Sequence, residues 1–136
     1  MECRDFTVKY GPLLRLLQRA REDRNFLQAQ EGFTPELGRE YEQIRRTAIL
    51  GYLRSLQEDW NEIAEQALPY VLRDERWAAN LAEVQARLHR TLRKIRLRLF
   101  LEQWSGSRRW TLAAQEAQKL LIAMSTIHEA LISVVS

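Results

Sequence analysis

Cysteine, proline, glycine and lysine are all scarce in this 136-residue chain, and each scarcity narrows what the protein can be. The single cysteine, Cys3, has no partner within the chain, which rules out an internal disulfide and a cysteine-built zinc site and favours a reducing, cytoplasmic setting. The opening residues MECRDFTVKY mix acids and bases without an apolar core, so no secretory signal is expected. The most apolar stretch, residues 120–135, is broken by Ser125, Thr126, His128, Glu129 and Ser133, and it falls short of the roughly 20 residues that a membrane span needs. No membrane span is therefore expected.

Chemistry-bearing motifs are missing as well. There is no Gly-rich phosphate loop and no nucleophile elbow. The two histidines, His89 and His128, have no Glu or Asp three residues before them, so the paired Glu-x-x-His pattern of di-iron bundles is absent. No catalytic residue, metal ligand or cofactor is expected, and the chain reads as a non-enzyme.

What the chain does have is helical periodicity. With 46% hydrophobic residues it can bury a real core, and the three prolines and five glycines leave long stretches uninterrupted. Apolar residues recur at spacings of three and four throughout. Four helices are predicted, at about 12–30, 34–68, 74–104 and 108–134. The first opens at Pro12 and carries Leu13, Leu17 and Ala20 inward, with Gly32 as a C-terminal cap. The second starts at an N-cap, Thr34, followed by Pro35 and Glu36. Its inner stripe reads Leu37, Tyr41, Ile44, Ala48, Tyr52, Leu56, Trp60, Ile63 and Ala67, and Pro69 is expected to end or kink it.

Asp74 caps the third helix, whose stripe runs Trp77, Leu81, Val84, Leu88, Leu92, Ile95 and Leu99. Gly106 and Ser107 separate it from a fourth helix with Trp110, Ala113, Ala117, Leu120, Met124, Ile127, Leu131 and Val134 inward. Three long helices and a shorter N-terminal one, joined by short connections, predict an all-α, up-and-down helical bundle in a single domain, 1–136.

The charge pattern is uneven although the formal balance is only +3. Between Glu42 and Glu58 the second helix carries Arg45, Arg46 and Arg54 and no acid. Between Glu83 and Glu102 the third carries Arg87, Arg90, Arg93, Lys94, Arg96 and Arg98 and no acid. In a hairpin, residues whose numbers sum to about 142 face each other, so the two stretches should form one electropositive waist. Arg87, Arg90, Lys94 and Arg98 make a ridge along it. Such a waist suits a polyanion: a nucleic-acid backbone, an acidic membrane surface or an acidic partner. The plainer reading is solvated arginine paired with Glu22, Asp23, Glu36 or Glu40.

The fourth helix has almost no charge beyond Glu116, Lys119 and Glu129, and its apolar sector is wide. Either it lies centrally in its own bundle or a second copy covers it, in which case Leu121, Met124, Leu131, Ile132 and Val135 form the interface of a homodimer. Leu97, Phe100 and Leu101 fall outside the third helix's stripe and form a partner-type patch, unless Phe6 to Tyr10 or the first helix covers it. The acids Glu58, Asp59, Glu62 and Glu65 read as an exposed face balancing Arg54, Arg73 and Arg76. The functional expectation is a self-associating interaction protein of all-α build. The rival is a polyanion-binding bundle.

Overall fold

In the computed structural model, which describes residues 5–105 and 110–135, every regular element is an α-helix. They are α1 (Phe6–Lys9), α2 (Gly11–Gln18), α3 (Ala20–Gln28), α4 (Pro35–Val71), α5 (Glu75–Ser105) and α6 (Thr111–Val135). Cys3, Gly106 and Ser107, to which the sequence assigned roles, lie outside the described residues.

The helical N-terminal region begins earlier than Pro12 and is divided. Asp5 starts α1, its carboxylate accepting from the Thr7 amide at 3.0 Å and from the Thr7 hydroxyl, which hold the Asp5 pKa below its ordinary value. The break at Tyr10 (φ −101°, ψ 16°) follows from Pro12, which has no N–H to offer and whose ring disfavours a continuous helix one turn back. Arg19 marks a second irregularity, yet i to i+4 bonds persist on both sides of it, from Arg19 to Arg15 and from Asp23 to Arg19. This is local unwinding, not a reversal. The chain reverses at Gln30–Phe33, where the Phe33 amide donates to the Gln30 carbonyl and Gly32 takes φ 84°, a conformation open to glycine.

Thr34 caps α4 as expected, its hydroxyl accepting from the Leu37 amide at 3.1 Å. The helix then runs 37 residues, about 55 Å at 1.5 Å per residue. It passes through Pro69 and ends at Val71, because a proline this close to the C-terminus removes only one late hydrogen bond. Asp74 begins α5, its side chain accepting from the Arg76 amide at 2.9 Å. Trp60 donates to Gln85 at 3.1 Å and Tyr70 packs on Trp77, so paired residue numbers of α4 and α5 sum to about three to five more than the expected register.

α5 lies against both α4 and α6, while α1 and α2 cover another side of α6 and α2 returns to α4. One core forms where these helices meet: Phe6, Tyr10, Leu13 and Leu17 from the N-terminal helices, Ile49 to Trp60 from α4, Leu88 to Leu99 from α5 and Leu120 to Met124 from α6. The expected stripe of α5 is inward from Val84 to Leu99. That of α4 holds only from Leu56 onward. In its first half Ile44 is 70% exposed and Arg45, Ile49 and Leu53 are buried instead. At 100° per residue Ile44 sits about 120° around the helix from Leu56, whereas Arg45 sits only about 20° away.

Candidate anion-binding groove

The expected basic waist does not form one surface. Arg45, at 4% exposure, is inside the protein: its guanidinium donates to the Leu16 carbonyl at 3.4 Å, lies 3.8 Å from Glu42 and stacks over the Trp110 ring at 5.1 Å. This corrects its assignment as a ligand-facing residue, for the helical phase that buries Ile49 and Leu53 buries Arg45 too. Arg46 turns to the other side of α4, into a cleft with Leu99. Arg54 is exposed on α4 and Arg98 half-buried on α5.

Arg87, Arg90 and Lys94 do come together, but their companion is α6. With Lys119 they line a groove of about 260 Å³ between α5 and α6, with Thr91 buried beneath and Glu116 on the opposite wall. The i, i+3, i+7 spacing on α5 puts the three cations on one flank over two turns, roughly 10 Å. Lys94 donates to Glu116 at 2.8 Å, and Arg87 lies 3.5 Å from Glu83, a partner one turn away on its own helix. Arg90 and Lys119 have no ion pair among the described residues. Exposed pairs of this kind contribute only about 0–1 kcal/mol each, so an incoming phosphate or carboxylate competes for both. The groove can therefore clamp an anion with a mixture of forked and point-charge donors. Lys119 was not singled out from the sequence, although as the lone cation of α6 it was visible there.

The residues assigned to a dimer interface divide. Leu121, Met124 and Leu131 are wholly buried within the chain itself, under α1, α2 and α5, so they cannot meet a second copy in this fold. Ile132 is half-buried and Val135 exposed, and with Leu112, Ile122 and Val134 they make up the outward apolar part of α6. α6 is longer than the apolar stretch read from the sequence: Leu112–Val135 is long and apolar enough to cross a membrane by length and composition, with a mean hydropathy of 1.2. The same helix supplies a large part of the core. On α5, Leu97 and Phe100 stay exposed, because α1 packs on α6 instead: the Phe6 amide donates to Ser125 at 3.0 Å, and the Phe6 ring meets His128 edge-on.

A second polar centre went unread in the sequence. Asp59, placed there on an exposed acidic face, is only 9% exposed. It accepts from Lys9 at 2.6 Å and from the Tyr10 hydroxyl, which in turn takes a hydrogen bond from Ser55 at 2.9 Å. Burial, then the Asp59 bond, raises the Tyr10 pKa above the ordinary tyrosine value. Joined through the Asp59 carboxylate, Lys9 and Tyr10 on one side and Ser55 and Asp59 on the other tie the N-terminal helices to α4. Among the described residues no group of three or more His, Cys, Asp or Glu side chains is placed to hold a metal ion. No protein-family model, curated protein or solved structure matches the chain.

Proposed function

We propose that the protein is a non-enzymatic interaction module that holds a polyanion, such as a nucleic-acid backbone, along the α5–α6 groove. The observation that carries this reading is the convergence of Arg87, Arg90 and Lys94 with Lys119 from a different helix, around an opening in which two of the four cations have no carboxylate partner among the described residues. Two packed helices hold the backbone positions of these charges without a ligand, so on binding only the side chains need to be ordered. The finer architecture that fits this role is a four-member up-and-down bundle in which α1 to α3 together act as the first member.

The test is fluorescence anisotropy with a labelled single-stranded oligonucleotide at rising salt. Engaging all four cations gives a log–log slope of about −3 on a single strand. The fourfold reversal of Arg87, Arg90, Lys94 and Lys119 to Glu should abolish binding while leaving the helical signal intact. Undiminished binding by that variant rejects the groove.

Self-association is a second reading, favoured by the outward apolar residues Leu112, Ile122, Val134 and Val135 on α6. It predicts a dimer mass by light scattering that Ile122→Glu converts to a monomer mass.

A further inference from the structure

A larger opening lies away from the α5–α6 groove, where α3, the turn after it, the start of α4 and the end of α5 meet. Its volume is about 530 Å³, within the range of small-molecule sites. Leu27, Phe33, Tyr41 and Leu99 supply apolar walls from four different parts of the chain. The edge of the Phe33 ring reaches Gly38 of α4: a Cβ there would stand 3.2 and 3.3 Å from two of its ring atoms, tighter than an ordinary contact.

Three arginines line the same opening, and they are not equivalent. Arg24 is committed, donating to Glu42 through Nε at 3.0 Å and Nη2 at 2.8 Å, and Glu42 also faces the buried Arg45. Glu42, the one carboxylate among the described lining residues, is therefore already neutralised. Arg39 and Arg46 sit two turns apart on the same face of α4 and have no ion pair or hydrogen bond among the described residues. An apolar pocket bounded by two unengaged guanidinium groups is complementary to a molecule with an apolar body and one anionic end.

We infer that this cleft binds a small amphipathic carboxylate, its apolar body against Phe33, Leu27 and Leu99 and its carboxylate between Arg39 and Arg46. Fatty acids and aryl-substituted acids share that chemistry. The site is independent of the α5–α6 groove, whose cations point elsewhere.

Isothermal titration of the full chain with dodecanoate, below its micellar concentration, and with dodecanol as the uncharged counterpart tests the assignment. A phenyl-alkanoic acid provides the arm that distinguishes a linear from an aromatic body. The expected result is saturable one-to-one binding of an acid, at least tenfold weaker for dodecanol and for Arg39→Ala/Arg46→Ala. Arg87→Ala/Arg90→Ala should bind as the parent does. Gly38→Ala, which pushes the Phe33 ring toward the cleft, should weaken the acid with both arginines in place. Equal affinity for dodecanol, no loss in the double Arg39/Arg46 variant, or no binding of any acid overturns it. Because the two arginines are at the surface, unchanged thermal melting of that variant separates lost binding from lost folding.

Discussion

Tyr10 is the residue on which the attachment of the N-terminal helices turns. Its ring is buried beside Phe6 and Tyr52, and its hydroxyl donates to Asp59 while accepting from Ser55. Burial and the Asp59 carboxylate both favour the neutral phenol, so the folded state keeps a proton that the unfolded chain releases near pH 10. The stability this contributes is fully present below pH 10 and is lost as pH rises toward the folded-state ionisation. Spectrophotometric titration should therefore find a tyrosine that does not ionise until the protein unfolds, and stability should fall above pH 10. Tyr10→Phe should remove that tyrosine from the titration, flatten part of the fall and cost about 1.5–3 kcal/mol at neutral pH, the range for a hydrogen bond to a charged partner. A Tyr10→Phe variant as stable as the parent in urea would show that the Tyr10 hydroxyl's bonds to Asp59 and Ser55 contribute no stability.

At the scale of single elements, α4 contrasts two glycines. Gly51 is exposed in mid-helix, and a Cβ there meets nothing within 4 Å, so Gly51→Ala should stabilise by about 0.5–1 kcal/mol through the unfolded state and helix propensity. Gly38→Ala has the same propensity gain but must move the Phe33 ring, so its gain should be smaller or reversed. Denaturant midpoints of the two variants side by side check this. α4 also explains why part of its stripe was misread. The stripe of threes and fours that starts at Leu37 averages more than 3.6 residues per turn, and such a stripe drifts around a straight helix. Summing 100° steps from Leu56 brings Ile49 and Arg45 inward and turns Ile44 out, as observed. That much was legible. The obstacle was chemical: an arginine on the inner line reads as an error until Glu42, the Leu16 carbonyl and the Trp110 ring are seen around it.

For the whole molecule the question is what covers α6. Its apolar sector is shared between α5 and the N-terminal helices, with neighbouring residues facing opposite ways: Leu121 has no exposure, Ile122 has 51%. Leu121→Ala should cost about 2–5 kcal/mol, the range for a leucine removed from a packed core. Ile122→Ala should change stability by about 0.5 kcal/mol or less. Both values should be independent of protein concentration, because the cover over Leu121 belongs to the same chain. Equal losses at the two positions, growing as the protein is diluted, would instead place a second copy over this helix.

The all-α class, the caps at Thr34 and Asp74, and the inner lines of α2, α5 and most of α6 follow from the sequence, since they depend on spacing and local hydrogen bonding within a few residues. The basic flank of Arg87, Arg90 and Lys94 was legible for the same reason. Which helix faces that flank was decided only by the fold. Lys119 joins the groove, Arg45 and Arg46 leave it, Asp59 goes from surface to core, and Leu99 closes the cleft of Arg39, Arg46 and Phe33, in each case because helices distant in the chain pack together. Periodicity states which side of a helix is apolar. It carries no information on which neighbour that side meets, and a site assembled from several helices depends on the neighbours.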